Sequence, residues 1–447
     1  MAAKNIGTKH INQLFNLPDS VTISGIIRHE HCDEYIVTYP LAEQRVCPHC
    51  HSCDCVIKDS GADQTVRHTV SHDRGTLVTF HKFRLLCHSC HHTFYMEPDW
   101  VHPCLRMTLM LYYKLIHDLM DKSSFRTIAD INGVSPALVS EVLASVEFGL
   151  PAHLPETLCI DEFKGSSGAW HPGKARWSVT RYHCNIVNGD GGKGYVLDIL
   201  PQISADFVKA YFRQYPHHER MRVRYFCCDM HNGFLSVAKE IFPHAHICID
   251  MFHVVELVND AVTAVRLRLQ READARGDAE LWKLLRGSMK TLLVNESDPK
   301  KALAARHPKR QAKLSRLFDC FPDLQEAYEA LQAFHLVCRE PYPMLKRAAL
   351  TDWIEHYAAS PVPEVEHLAR RIQHWRGYIH NTWEFGKSNS PAEGLNNNIK
   401  VLKRVSYGLH DFDIFRKRVL LCFGAVQLDK SPYTIFREKR NGGKMIF

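Results

Sequence analysis

The sequence predicts a multidomain α+β protein, and three observations carry that reading. Two CxxC pairs lie near the N-terminus, a short helix-turn-helix pattern follows, and three strands then pass into alternating helix and strand. The length of 447 residues calls for two to four domains rather than one core. No apolar run is long enough to span a bilayer, and MAAKNIGTKH lacks the apolar core of a signal peptide. The expected compartment is therefore the cytosol, close to the nucleoid. There the 16 cysteines serve as metal ligands or buried thiols and not as disulfides.

Residues 1–40 form a mixed segment without an assignment. In residues 41–100, Cys47 and Cys50 form one CxxC and Cys87 and Cys90 the other, with 36 residues between them. Two such knuckles can bring four thiolates into a tetrahedron around one structural Zn²⁺. The segment between them, TVRHTV to GTLVTFHKFRLLC, alternates as a β-hairpin does, so the region predicts a zinc ribbon that folds largely on its metal. His49, His51, His88, His91, His92, Cys53 and Cys55 crowd the same stretch and leave a substituted ligand open.

Residues 104–150 turn helical. Ile128 and Ala129 fall in a short helix, Gly133 at a turn, and Ser135-Pro136 at an N-cap with proline in the first helical position. Val139, Val142 and Leu143 supply the apolar face of the next helix. This is helix-turn-helix spacing, which a plain helical hairpin would share. The recognition helix has no Lys or Arg, so base contacts would come from Ser135, Ala137 and Ser140.

In residues 151–251 the period changes again. TLCIDEF, RWSVTRYHCNIVN and GYVLDIL read as three strands, SADFVKAYFRQY as an amphipathic helix, RVRYFCCDM as a strand, GFLSVAKEIF as a helix and AHICID as a fifth strand. This is the order of an RNase H-like α/β core. Residues 252–375 predict a mostly helical insertion, after which the core resumes over 376–427 and a basic tail closes the chain at 428–447. The net charge of +7 is modest, but the stretch from Lys300 to Arg316 holds seven Lys or Arg and no acid. Such a run suits nucleic acid, with a solvated helix face as the close alternative.

Asp161 and Asp229 each follow a strand that should be buried. A desolvated carboxylate needs a cation or hydrogen-bond donors. In an RNase H-like sheet the first and fourth strands are neighbours, so the two acids would lie side by side and favour a divalent metal. Glu393, in the first turn of a helix opened by Ser-Asn-Ser-Pro, is the best-placed third acid, with Glu384 as its rival. Glu162 alternates to the face opposite Asp161. Glu393, Asn397, Lys400 and Arg404 are spaced to share one helical face; if Glu393 holds a metal, Lys400 and Arg404 face a DNA backbone beside it, and otherwise they form a solvated basic face.

IDEF at Asp161, CDMHNGF at Asp229, IDMFHVVELVNDA at Asp250 and SNSPAEGLNNNIKVLKR at Glu393, preceded by the paired-CxxC ribbon and the helix-turn-helix, resemble the DDE transposases of the bacterial ISL-three insertion-sequence family. The resemblance covers nearly the whole chain. It implies that Asp161, Asp229 and Glu393 hold two Mg²⁺, with Mn²⁺ as substitute. It further implies that water cuts the element's end to leave a 3′-OH, and that this hydroxyl attacks target DNA. The partners it implies are double-stranded DNA, as terminal inverted repeats and as target, and a second copy of the chain when on DNA. The Asp250-x-x-His253 element resembles one shared by several transposase groups and fits a pair beside the metals; a helix cap with a satisfied histidine fits it too. A non-catalytic DNA-binding repressor or domesticated transposase, or a nuclease without strand transfer, is the alternative to an active transposase.

Overall fold

The structure is a computed structural model that describes residues 15, 17–41, 45–71, 73–96, 98–167, 180–191, 194–406, 409 and 411–425. The basic tail over 428–447 lies outside the described residues. The chain divides into two units, one of residues 1–151, 166–179 and 397–447, the other of 152–165 and 180–396.

Alternating apolar residues dictate the sheet of the first unit. Strands β1 (Thr22–Arg28), β2 (Cys32–Thr38), β3 (Cys55–Ser71), β4 (Arg74–Cys87) and β5 (Thr93–Tyr95) pair in the order β1-β2-β4-β3, with β5 also on β4. Tyr35 and Val37 of β2, Val66 of β3, and Val78 and Phe80 of β4 turn one face inward, where they pack with Trp100. The expected hairpin between the CxxC pairs is the antiparallel β3–β4 ribbon. The first forty residues supply β1 and β2, and β2 runs parallel to β4. Gly61 sits at an irregularity of β3 with φ +66, and an added Cβ would lie 1.7 Å from the Lys82 carbonyl oxygen, so only glycine fits there.

The helices Leu109–Asp118, Phe125–Asn132 and Pro136–Ser145 follow. Gly133, in the left-handed region, ends the second, and the Ser135 hydroxyl accepts from the Leu138 N–H to start the third. Ile128, Ala129, Val139, Val142 and Leu143 are buried in one cluster, and Ile414 and Leu421 of the helix Phe412–Phe423 join it. The sequence reading groups 376–427 with the second sheet, whereas Phe412–Phe423 packs in this helical bundle. Its anchor is Arg418, fully buried, whose guanidinium donates to the carbonyls of Leu119, Asp121 and Ser123. A buried charge is tolerable only when its donors are used in this way.

In the second unit, β6 (Thr157–Ser167), β7 (Thr180–Asn188), β8 (Tyr195–Leu200), β9 (Tyr225–Cys228) and β10 (His246–Ile249) form a sheet in the order β10-β9-β6-β7-β8. β6, β9 and β10 are parallel, and β7 pairs antiparallel with β8. The crossover helices Ala205–Arg213 and Asn232–Ile241 bury Val208, Phe212, Phe234 and Val237 in the core. Helices then run from Met251–Ala275 to Pro363–Phe385. The last continues ten residues past the expected end of the insertion at 375. It is tied to β10 through Thr382, whose hydroxyl accepts from the Ile249 N–H and donates to the Ile249 carbonyl, both at 2.8 Å. No described helix is long and apolar enough to cross a membrane.

Candidate active site

The parallel pairing of β6 with β9 ends at Ile160 opposite Cys228. The next residue on each strand is an acid, so Asp161 and Asp229 meet just past the last rung. β9 stops there, but β6 runs on to Ser167, so Asp161 is not at the end of its own strand. The sequence reading takes Asp161 for a strand end because its apolar run stops at Ile160. What stops there is the pairing with β9, which leaves that edge of β6 open.

Asp161 is 7% exposed. One oxygen accepts from the Glu162 N–H at 2.7 Å, the other from Asn396 Nδ2 at 2.7 Å. Burial, followed by the charge of Asp229 and a hydrogen bond shared with it, pushes the Asp161 carboxyl up to about 7. Asp229 accepts from Asn389 Nδ2 at 3.2 Å and pairs with His253 Nε2 at 3.0 Å. The hydrogen bond to Asp229 outweighs partial burial and raises His253 to about 9, while its Nδ1 faces Glu256 at 3.1 Å.

Asp250 caps the helix Met251–Ala275 by accepting from the Phe252 N–H at 2.9 Å. It is nevertheless 6% exposed, and burial together with the charges of Asp229 and Glu393 raises its carboxyl. Asp250 is thus both the helix cap and a member of the site. Asp229, Asp250 and His253 each bring a ligand atom within 4.8 Å of the others, a set that could hold a metal ion. Glu393 is exposed in the first turn of the helix Ser390–Val405 and, among the described residues, does not join that set. Its rival Glu384 pairs with Arg347 at 2.8 Å.

Two amides that carry no spacing signal in the sequence hold the acids in place. Asn389, 1% exposed, donates to the Ile160 carbonyl as well as to Asp229. Asn396, 2% exposed, donates to Asp161 and accepts from Asn185 Nδ2 at 2.9 Å. Asn389 immediately precedes the helix Ser390–Val405 and Asn396 lies within it, so the helix start and its second turn together bridge both strands. Asn396 lies in a run of three asparagines, where only the burial pattern singles it out. Glu162 lines a cleft of about 320 Å³ with Asp229, His253, Glu256, Asp260 and Arg371. Asp161 is not among the residues that line this cleft, so the two neighbours on β6 face different surroundings.

Four cysteines meet in the first unit. Cys47 Sγ lies 3.6 Å from Cys90 Sγ, and Cys50 Sγ 3.5 Å from Cys87 Sγ. Ligands about 2.3 Å from a tetrahedral Zn²⁺ stand about 3.8 Å apart. The spacing and the sulfur donors fit that ion, and the four could hold it. At Cys87, burial favours the thiol, but hydrogen bonds from the Cys90 and Ser89 backbone and from the neighbouring thiols bring it down to about 6.

Ser135 and Ala137 are exposed and Ser140 is half-buried, although the Ser135 hydroxyl is engaged as a helix cap. Lys400 and Arg404 are exposed on their helix, and the division between the units falls after Asn396, ahead of both. Within the basic run, Arg310 is buried against Glu296 and Tyr328, Lys313 donates to the Gly287 carbonyl and Arg316 pairs with Glu280. Much of that charge therefore serves the helical region itself.

Residues 158–419 match the family model of the ISL3 group, described as transposase. A 271-residue stretch is 27% identical to the transposase of insertion sequence element IS1001 from Bordetella parapertussis, covering 60% of this chain and 61% of that protein. A 250-residue stretch is 25% identical to the transposase of IS1557 from Mycobacterium tuberculosis, covering 51% and 53%. A shorter match, 32% identical over 112 residues, covers 25% of this chain and 34% of an ATP-dependent protease of Lactococcus lactis. The chain thus spans between about a third and three-fifths of the length of the relatives it matches. The family match takes in Asp161 and Asp229, Asp250-x-x-His253 and the helix of Glu393, and the chain belongs to the ISL3 (ISL-three) family of transposases.

Proposed function

We propose that the chain is a DNA transposase that binds the terminal inverted repeats of an insertion sequence and catalyses metal-dependent strand cleavage and strand transfer on an RNase H-like core. The observation that carries this reading is the pair Asp161 and Asp229, side by side where β6 and β9 part, with the Asp161 carboxyl raised to about 7 by burial and by its neighbour. Two carboxyls held this close favour either a shared proton or a divalent cation. The strand order β10-β9-β6-β7-β8 supports the RNase H-like assignment.

The donor set fits a hard cation, because carboxylate oxygens suit Mg²⁺ and Mn²⁺. Asp161 and Asp229 would hold the ions, with Glu393 as third ligand. Bound there, two such ions would activate the attacking oxygen and stabilise the leaving one. Asn396 and the Glu162 N–H fix the two oxygens of Asp161, and Asn389 and His253 fix those of Asp229, so the site is shaped before DNA arrives. The closeness of Asp229, Asp250 and His253 favours a second ligand set in which Asp250 takes the place of Glu393.

The four cysteines would carry one structural Zn²⁺. That region, with the helix-turn-helix residues Ser135, Ala137 and Ser140 and with Lys400 and Arg404, would bind DNA, two copies of the chain acting on paired ends. The test is cleavage of a duplex carrying the sequences that flank the gene, in Mg²⁺. Asp161→Ala, Asp229→Ala and Glu393→Ala should each abolish cleavage while leaving DNA binding intact. Full cleavage by Glu393→Ala with loss in Asp250→Ala would move the third ligand to Asp250, and binding without cleavage by the wild type would favour a repressor.

A further inference from the structure

Arg371 is the one Lys or Arg among the residues lining the cleft of Asp229, where its neighbours include Glu162, Glu256 and Asp260. Among the described residues its guanidinium makes no ion pair or hydrogen bond. The adjacent Arg370 is instead paired with Glu366 on the same helix. Arg371 shares a face of the helix Pro363–Phe385 with Trp375, Tyr378 and Thr382, at steps of four, three and four. Trp375 and Thr382 are buried, and Thr382 bonds to β10, whereas Arg371, one turn before Trp375, is exposed and lines the cleft with His253, Glu256 and Asp260 of the helix Met251–Ala275. A permanently charged, forked donor with no protein partner, at the wall of an acidic cleft, is arranged for an external anion.

We infer that Arg371 grips a backbone phosphate of the DNA strand that enters this cleft, and so sets the strand against Asp229. This rests on the transposase reading above. The acids alone would repel a phosphodiester. The Arg371 guanidinium in the same cleft supplies an attractive contact, and its forked donors orient the phosphate as well as binding it.

The test measures the affinity of the full chain for a fluorescein-labelled duplex bearing the flanking end sequence, over a series of salt concentrations and without divalent ions. Each phosphate contact contributes about 0.9 to the slope of log affinity against log salt. Arg371→Gln should weaken binding and flatten that slope by about one, whereas Arg370→Gln should leave it as in the wild type. Equal slopes in wild type and Arg371→Gln would overturn the proposal, as would an equal fall in both variants, which would mark a general charge effect. An unchanged slope with tighter Mn²⁺ binding would also overturn it and leave Arg371 as a counter-charge to the acids. Because the slope is read without chemistry, it is independent of the catalytic reading, which fails separately if Asp229→Asn cleaves like the wild type.

Discussion

The cysteine cluster and the carboxylate site are both metal-type constellations, yet they are assembled in opposite ways. Cys47, Cys50, Cys87 and Cys90 come from two tight knuckles at the ends of one ribbon, and their sulfurs stand 3.5 to 3.6 Å apart in pairs. Asp161, Asp229 and Asp250 come from three places on a sheet and a helix, and are held by amides more than two hundred positions further on in the case of Asp161. A site built from local turns writes its ligands into the sequence spacing. A site built across a fold writes only its apolar strands, and the geometry has to supply the rest.

The largest expected effect breaks the carboxylate side of this comparison: Asp161→Ala or Asp229→Ala should reduce Mg²⁺-dependent end cleavage to background in a gel assay while DNA binding survives. On the cysteine side, Cys47→Ser should release zinc, measured by metal analysis, and unfold the ribbon, because such small regions draw their stability from the ion. A folded ribbon without zinc would remove the structural role from the cluster. Asn396→Ala should lower cleavage about 10- to 100-fold, as loss of an orienting partner of a metal ligand does, with Asn396→Asp no better. Full activity in Asn396→Ala would mean that the Glu162 N–H alone orients Asp161.

A smaller effect concerns pH. The Asp161 carboxyl is raised from 3.8 to about 7 and His253 from 6.5 to about 9. Both folded values lie above the unfolded ones, so each group's contribution to stability is present at low pH and lost as pH rises through about 7 and about 9. The metal-free protein should therefore melt lower as pH rises through that window. Added Mn²⁺, which binds the deprotonated carboxylates, should raise the melting temperature more at pH 8 than at pH 6. Asp161→Asn should flatten the lower part of the profile.

The sequence carries the strands from β3 onward, the crossover helices and the paired CxxC, because each rests on hydrophobic period or local spacing, while the adjacency of Asp161 and Asp229 is legible only through the strand order of an RNase H-like sheet. It does not reveal that β6 outruns β9, since pairing ends with the shorter strand. Nor does it pick out Asn389, Asn396 or Arg371, whose roles depend on which helical face meets the sheet. For Asp250 the sequence leaves open a helix cap or a place beside the metals, and the structure shows the cap together with burial beside Asp229.

The central claim, that the Asp161–Asp229 pair is an ion site, is tested most directly by titrating Mn²⁺ into the zinc-replete protein at pH 6 and at pH 8 and following heat and proton release. The wild type should bind Mn²⁺ and release protons below neutral pH, and Asp161→Asn should lose that binding with its fold intact. Equal Mn²⁺ binding by wild type and Asp161→Asn would contradict the claim and shift the ion to Asp229, Asp250 and His253.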